Sequence, residues 1–162
     1  MDAVFTGFYD SPLGCLKITC SDDAVSLISF TDGSAGISDK HPLLTKTIEQ
    51  LDAYFKGTLT YFDLPLNPSG TTFQVSVWNK LQLISFGKTF SYLQLSRDLG
   101  DEKAIRAVGN ANGRNPVAIV IPCHRVIGSD GSLVGYAGKL WRKKWLLDHE
   151  RQIISRQTEL QF

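Results

Sequence analysis

Short segments in which apolar and polar residues partly alternate dominate the first 30 residues of the chain. They cover residues 4–9, 15–20 and 25–30. Turn-forming residues separate them, with Pro12 and Gly14 in the first gap and Asp22 and Asp23 in the second. Alternation with a period of two between turn signals is typical of strands with one buried face. The pattern therefore predicts a three-stranded antiparallel meander.

After residue 41, the apolar residues recur at the spacing of a helix instead of at every second position. The apolar positions with helical spacing are Leu44, Ile48, Leu51 and Phe55. They predict a helix over residues 42–56, with a proline in its first turn and Gly57 just beyond its end. Residues 65–70 then contain two prolines and a glycine, which interrupt regular structure. We place a domain boundary there, so that residues 1–66 form a small first domain and residues 67–162 a second.

Helical patterns dominate the second part of the chain. We expect a helix capped by Thr71 or Thr72, two short helices over residues 92–99 and 102–111 that begin after Ser91 and Asp101, and a last helix over about 139–150. Two short helices joined by a turn with a glycine form the helix-turn-helix arrangement. The expected fold is α+β, with a small antiparallel sheet in the first domain and a mainly helical second domain that contains the helix-turn-helix.

The second helix of that pair carries several small side chains, which leave much of its backbone surface uncovered. Its small residues are Ala104, Ala107, Gly109 and Ala111. Such a helix can approach a DNA groove closely, and the protruding Arg106 could fill the space that a displaced base leaves. Small residues also allow tight packing between helices without any nucleic acid, so the motif by itself leaves both interpretations open.

Composition and charge narrow the class of protein. The chain has 162 residues, 43% of them hydrophobic and 20% charged, which is typical of a globular protein. It has no apolar run of the roughly 20 residues that span a membrane and no secretory signal pattern, so we expect a cytoplasmic protein without membrane contact. Residues 1–66 carry four Lys or Arg against nine Asp or Glu, whereas residues 67–162 carry thirteen against seven. The basic second part permits a polyanionic partner.

Cys123 has the strongest potential for chemistry in the chain. The β-branched run over residues 117–121 predicts a buried strand, and Pro122 should end its pairing directly before the cysteine. His124 could act as a base, and Arg125 adds positive charge that favours a thiolate. Because neighbouring side chains in extended backbone point in opposite directions, we expect a water molecule between Cys123 and His124. A buried cysteine that serves only as a small apolar residue is the alternative.

Cys15 and Cys20 raise the separate possibility of a metal site. His41 is their nearest candidate co-ligand, and a structural zinc ion normally takes four nitrogen or sulfur ligands. We therefore expect strand residues rather than ligands, and predict neither a metal nor a cofactor. An odd count of three cysteines does not suggest a disulfide framework, which agrees with a reducing compartment.

Several blocks of the second part resemble the signature blocks of the O6-alkylguanine-DNA alkyltransferases, also called methylated-DNA-protein-cysteine methyltransferases. The blocks are Phe73-Gln74 to Trp78, Ser91-Tyr92, Arg106-Ala107-Val108-Gly109, Asn115-Pro116, Ile121 to Val126 and Gly135-Tyr136-Ala137-Gly138. The resemblance spans residues 71–150 in the family's order and is loose in the first third of the chain. Two positions depart from the family pattern, since Ser85 stands where many members have Pro and Lys139 replaces a commonly found Gly.

The resemblance implies a DNA repair protein that acts once. Cys123 would take an alkyl group from guanine O6, with thymine O4 as a second candidate, through a relay of Glu150, His124, water and Cys123. Asn115 would brace the turn before the cysteine loop, Lys143 would support the site, and Tyr92 would rotate the phosphate and hydrogen-bond to the flipped base. The implied DNA contacts are Ser91, Tyr92, Arg106, Ala107, Gly109 and Ser129. The implied base-pocket residues are Val126, Tyr136 and Ala137.

The resemblance also implies a ribonuclease-like first domain that supports the second, double-stranded DNA with alkylated guanine as the partner, and a monomer. Thiolate attack on an alkoxy carbon gives a thioether, which has no carbonyl for water to attack, so the cysteine is not regenerated. Two alternatives stay open at this stage. One is a protein of the same fold that binds alkyl lesions without reacting, and the other is a helix-turn-helix regulator whose cysteine senses alkylation.

Overall fold

The alternating segments at the start of the chain form the predicted meander. In a computed structural model, which describes residues 2–136 and 138–160, three strands pair antiparallel in the order β1-β2-β3. Their bounds are Phe5–Ser11 for β1, Gly14–Cys20 for β2 and Val25–Phe30 for β3. Helix α1, Pro42–Phe55, packs on β1 and β2. The buried side chains between helix and sheet include Leu16, Ile18, Leu44 and Leu51.

The chain divides by internal contacts into two compact units. The first comprises the chain up to Ser69 together with Pro116–Val120, and the second comprises Gly70–Asn115 together with the chain from Ile121 onward. The predicted boundary at residue 66 would give two continuous stretches of chain. The structure differs because the short segment Pro116–Val120 belongs to the first unit. The two-domain organisation remains our proposal, refined by this segment.

The run over residues 117–121 does not form the predicted strand. Val117 makes one isolated parallel bridge with Ile28, after which the chain turns, and the backbone N–H of Val120 donates to the carbonyl of Ala118 over 2.8 Å. Ile119 adopts a φ of 72°, which a β-branched residue rarely does. Val117, Ile119 and Ile121 are nevertheless buried. The apolar run was correctly predicted to be buried, but burial here comes with turns instead of strand pairing.

The second unit is mainly helical, as predicted. Its elements are α2 (Thr72–Leu81), β4 (Phe90–Ser91), α3 (Tyr92–Asp98), a 3-10 turn (Glu102–Ala104), α4 (Ile105–Gly113), a 3-10 turn (Cys123–Arg125), β5 (Val126–Ile127) and α5 (Leu140–Glu159). Thr71 and Gln74 form a reciprocal capping box at the start of α2. Ser91 caps α3 and Asp101 caps the 3-10 turn before α4, so all three predicted caps are confirmed. Helices α3 and α4 pack against each other, which is consistent with the predicted helix-turn-helix.

The last helix is much longer than the sequence pattern indicated. Helix α5 has 20 residues, whereas the pattern predicted an end near residue 150. Residues beyond Glu150 are mostly polar and exposed, which is why they gave no apolar stripe to extend the prediction. The α+β fold class is confirmed. Among the helices of the described residues, none combines the length and apolar character that crossing a membrane requires.

Candidate active site

Two successive tight turns present Cys123. Pro122 has φ −84° and ψ 60°, which closes an inverse γ-turn in which the backbone N–H of Cys123 donates to the carbonyl of Ile121 over 2.8 Å. Cys123 then begins a 3-10 turn that leads into β5. Its side chain is only 5% exposed. The cysteine thus lies in a compact, buried loop, and the extended geometry assumed for Cys123 and His124 is wrong.

Side chains from the helix-turn-helix fix both sides of this loop. Asn115 donates through Nδ2 to the carbonyl of Ile121 over 2.8 Å, directly before Pro122. Asn112, in α4, donates through Nδ2 to the carbonyl of Cys123 itself over 3.3 Å. The helix proposed to contact DNA therefore holds the backbone of the candidate nucleophile. Asn112 has no counterpart in our sequence analysis, because a buried polar position in a helix gives no local signal of its partner.

His124 and Glu150 form a buried hydrogen-bonded pair. The distance from His124 Nε2 to Glu150 Oε2 is 2.7 Å, and both side chains are buried. Burial alone would raise the pKa of Glu150, but its contacts with His124 and Arg125 lower it overall, so it is a carboxylate. Burial lowers the pKa of His124 despite the neighbouring carboxylate. A neutral His124 must therefore carry its proton on Nε2, which leaves Nδ1 as an acceptor.

His124 Nδ1 is buried and lacks a hydrogen-bond partner among the described residues. The imidazole therefore does not accept directly from the Cys123 thiol in this structure. A buried acceptor without a partner is what the predicted water-mediated relay requires of His124.

Arg125 has a different role from the one expected. Its Nε and Nη2 donate to the two carboxylate oxygens of Glu150 over 2.8 and 3.1 Å, and its Nη1 donates to the carbonyl of Ile84 over 2.6 Å. The backbone N–H of Gly87 donates to Glu150 as well, over 3.1 Å. Arg125 thus neutralises Glu150 and does not supply the positive charge next to the thiol that the sequence suggested. Only the fold brings these groups together.

Lys143 supplies the cation next to Cys123. Its ammonium group is fully buried and donates to the carbonyls of Val126 and Val134 over 2.5 and 2.9 Å. Burial lowers its pKa to about 8, although the charge of Cys123 acts in the opposite direction. The Tyr92 hydroxyl donates to the same Val134 carbonyl over 2.8 Å. Tyr92 would have to release this bond before its hydroxyl could donate to another acceptor.

A glycine is required where Tyr92 meets this segment. Gly135 has φ 71°, and a Cβ built there would lie 2.9 Å from the Tyr92 hydroxyl oxygen. A side chain at this position would be strained and would press on Tyr92. The glycine therefore permits the close approach of residues 134–136 to α3 and α4.

We expect the Cys123 thiol of the free protein to remain protonated at neutral pH. Burial raises the pKa of Cys123, although Asn115 and Lys143 act in the opposite direction. Because thiolate absorbance reports ionisation, a pH titration should place its increase above the range of an exposed thiol. Cys15 and Cys20 also have raised pKa values, so the signal of a Cys123→Ser variant must be subtracted. A difference signal already present near pH 6 would contradict this expectation.

An open cleft lies between α4 and the segment that leads into α5. It has a volume of about 590 Å³ and is lined by Gly109, Asn110, Gly113, Arg114, Val134, Gly135, Tyr136 and Leu140. The Tyr136 hydroxyl is buried and has no partner among the described residues, so it is available to a bound molecule. Val126 is fully buried and does not line the cleft. Ala137, the third predicted pocket residue, lies outside the described residues.

The predicted DNA-contacting residues differ in their exposure. Arg106 and Ala107 are exposed on α4, Gly109 is half-buried, and Ser129 is exposed in a turn. Ser91 is half-buried, and its hydroxyl accepts from the backbone N–H of Gln94 over 3.0 Å. Arg106 and Ala107 thus share an accessible part of the helix-turn-helix.

Cys15, Cys20 and His41 are occupied by structural roles in the first unit. Both cysteines are buried in β2, and His41 caps α1 by accepting from the backbone N–H of Leu43 while its other nitrogen contacts Asp22. Among the described residues, no cluster of three or more His, Cys, Asp or Glu has the arrangement of a metal site.

Comparisons with known proteins match nearly the whole chain. Residues 72–152 match the model of the 6-O-methylguanine DNA methyltransferase DNA binding domain, and residues 4–68 match that of its ribonuclease-like domain. The chain is 40% identical over 153 residues to a methylated-DNA--protein-cysteine methyltransferase of Methanosarcina acetivorans, with 91% of this chain and 98% of the relative covered.

Solved structures give the same match. The Mycobacterium tuberculosis O6-methylguanine methyltransferase is similar with a TM-score of 0.84 and 38% identity, covering 93% of this chain and 94% of that one. The structure of M. tuberculosis OGT in complex with DNA is similar with a TM-score of 0.82 and 39% identity, covering 90% and 93%.

Proposed function

Because the chain belongs to the 6-O-methylguanine DNA methyltransferase family, it repairs DNA by direct transfer of an alkyl group to one of its own cysteines, and we propose that Cys123 is that cysteine. The observation that carries the proposal is the buried hydrogen-bonded pair of Glu150 and His124, the residue that follows Cys123 in the same 3-10 turn. Cys15 and Cys20 lie in the sheet of the other unit, where burial and neighbouring aspartates raise their pKa values and so disfavour the thiolate.

The proposed substrate is double-stranded DNA that contains guanine alkylated at O6, with thymine alkylated at O4 as a possible second lesion. The Cys123 sulfur attacks the alkyl carbon, a carbon–sulfur bond forms, and the bond between that carbon and O6 breaks. The electrons of the broken bond stay on the base. The proton that the thiol loses balances the proton that guanine regains at N1, so the products are a thioether and an ordinary guanine.

His124 moves the proton in this proposal. A neutral imidazole that donates from Nε2 to the Glu150 carboxylate can accept at Nδ1, through one water, the proton of the Cys123 thiol. The imidazolium that forms is then stabilised by the carboxylate. Lys143 stabilises the thiolate before attack, since its ammonium group lowers the pKa of Cys123. Burial otherwise keeps the sulfur protonated, which limits its reaction with other electrophiles.

The remaining residues bind and position DNA in this proposal. Arg106 takes the place of the extruded base in the stack, while Ala107 and Gly109 allow α4 to approach the groove. Tyr92 and Tyr136 contact the flipped base, Val126 and Ala137 complete the pocket, and Asn115 braces the cysteine loop. Ser91 and Ser129 contact the DNA strand. We propose that the protein acts as a monomer, and its cytoplasmic location stays a prediction.

Intact mass and peptide mapping test this function. After incubation with a duplex that contains O6-methylguanine, the protein should gain the mass of one methyl group, located on Cys123, and the gain should stop at one equivalent. An unmodified protein that still prefers the lesion duplex would favour the lesion-binding alternative. A protein that is modified but regulates transcription would favour the regulator alternative.

An Arg106→Ala variant should transfer the alkyl group from duplex DNA much more slowly than the wild type. Extruding a base costs a few kcal/mol, and an intercalating side chain offsets part of this cost. We expect transfer from a duplex to slow by about 10- to 100-fold, but transfer from a single-stranded oligonucleotide to change much less, because no stack must be refilled. The exposed Lys103, in the preceding turn, offers a matched Lys103→Ala control. Equal losses on duplex and single strand would contradict the proposed role.

A further inference from the structure

The cleft beside α4 has a basic and aromatic rim that the reaction described above does not use. We propose that this rim, formed by Arg114, Lys139, Leu140 and Trp141, binds the DNA strand on either side of the extruded nucleotide. Its basic side chains would contact the phosphates, and Trp141 would stack on a neighbouring nucleotide. This inference rests on the proposed function, since it assumes that the lesion enters the cleft.

The position of the rim follows from the residues that line the cleft. Arg114 ends α4 on one wall, and Leu140 begins α5 on the opposite wall. A nucleotide that enters the cleft to reach Tyr136 remains attached to its strand through a phosphate on each side. We place these phosphates at the mouth of the open cleft, between Arg114 and the start of α5, where the strand continues on either side of the base.

The charge of the rim suits a phosphate backbone. Arg114 and Lys139 are exposed, and within the described part of the chain neither forms an ion pair with an acidic side chain. The acidic residue Asp148, further along α5, is instead bound by Lys144 over 2.6 Å. Unpaired exposed cations release counterions when they meet phosphates, which favours binding to nucleic acid over binding to an apolar partner.

The backbone also fixes Lys139 in an unusual way. Its φ is 76° and its ψ 145°, a region that residues other than glycine rarely adopt. The lysine is therefore held in a conformation that glycine adopts without strain. The basic side chain thus leaves the backbone directly before Leu140, which lines the cleft.

Trp141 has the form of a stacking platform. It is 53% exposed, and the Arg142 guanidinium lies over its ring at 4.9 Å from the centroid. Arg142 itself is held by donating to the carbonyl of Gly138 over 3.2 Å. The indole is therefore oriented before any partner arrives, although it is not buried. An exposed, oriented aromatic ring among cations is the arrangement that binds bases of a strand without reading their sequence.

Binding of lesion duplex over a range of salt concentrations tests the inference. An Arg114→Gln/Lys139→Gln double variant should reduce the slope of log affinity against log salt by about two, because each phosphate contact contributes about one. A Trp141→Ala variant should bind about tenfold more weakly at all salt concentrations, with an unchanged slope. A fluorescent 2-aminopurine base next to the lesion should be quenched by the wild type and not by Trp141→Ala.

Matched controls lie at the other end of the same helix. Arg156 and Leu160 are exposed at the end of α5, roughly 22 and 28 Å from Trp141 at about 1.5 Å per residue. Arg156→Gln and Leu160→Ala should leave affinity and salt slope unchanged. Thermal unfolding of every variant shows whether a loss of affinity comes from misfolding. A misfolded Trp141→Ala would be replaced by Trp141→Phe, which keeps a ring and should retain most of the affinity.

The result that overturns the inference differs from one that overturns the proposed function. An unchanged salt slope and an unchanged 2-aminopurine signal in well-folded rim variants would show that the rim does not bind DNA. Methylation of Cys123 in the wild type is measured in the same reactions, and only its absence would contradict the alkyl-transfer function.

Discussion

A Cys123→Ser variant should transfer no measurable methyl group while it still binds the lesion duplex. A hydroxyl is a far weaker nucleophile than a thiolate, and removing the nucleophile of a covalent mechanism costs on the order of 10⁴-fold or more in rate. Serine is close in size, and the polar loop around residue 123 is held by Asn112 and Asn115 through backbone carbonyls. The fold and the DNA surface should therefore survive, and the complex should accumulate instead of turning into product.

The other two cysteines provide the matched control for this variant. Cys15 and Cys20 are buried in β2, so Cys15→Ala and Cys20→Ala test whether any buried thiol accepts the group. Mass spectrometry should find full methylation of both control variants and none of Cys123→Ser. A methyl group on Cys15 or Cys20 in the Cys123→Ser protein would show that the assignment of the nucleophile is wrong.

Replacing Glu150 should have the second largest effect, and it should reduce both stability and rate. Glu150 holds His124, Arg125 and the backbone N–H of Gly87. Removing one partner of a buried ion pair leaves an uncompensated charge and costs about 3–5 kcal/mol. A Glu150→Leu variant leaves the buried Arg125 charge without its partner. The free energy of unfolding of this variant, measured by denaturant titration, should therefore be about 3–5 kcal/mol lower than that of the wild type.

A Glu150→Gln variant separates the effect of Glu150 on the rate from its effect on stability. The amide keeps the shape of the carboxylate but cannot hold the positive charge that forms on His124 when it takes the thiol proton. We expect methyl transfer at saturating DNA to slow by about 10²- to 10⁴-fold, the usual contribution of a positioned acid or base. Asp148→Asn, an exposed carboxylate on the same helix, is the control and should leave the rate unchanged. A Glu150→Gln protein that is unstable yet reacts at the wild-type rate once bound would assign Glu150 a structural role only.

The pH dependence of stability follows from the same carboxylate. Glu150 has a lowered pKa in the folded protein, so its contribution to stability is present above the ordinary glutamic acid pKa of about 4.3 and is lost as the pH falls through the lowered value. Wild type and Glu150→Gln should therefore differ in stability at pH 7, and the difference should shrink on acidification below about pH 4.

The sequence allowed good predictions wherever a local pattern decides the structure. Alternation gave the three strands, an apolar stripe with Pro42 and Gly57 at its ends gave α1, and capping residues Thr71 and Ser91 gave the starts of α2 and α3. These signals are local, because capping and amphipathicity depend on residues a few positions apart. The strand predicted over residues 117–121 is wrong, because an apolar run indicates burial but not strand pairing. Around Ile119, the apolar residues are buried in turns.

By itself, the sequence determined the reactive residue type and its setting: a cysteine after a proline, a histidine beside it, and blocks whose order matches one family of repair proteins. Only the tertiary structure decided which charges meet. It pairs Arg125 with Glu150, brings Lys143 towards Cys123, and joins Asn112 to the Cys123 carbonyl. Partners so far apart along the chain, 25 residues between Arg125 and Glu150, leave no periodic signal. Their encounter depends on how the helices pack, and the electrostatics of a buried site follow from that packing.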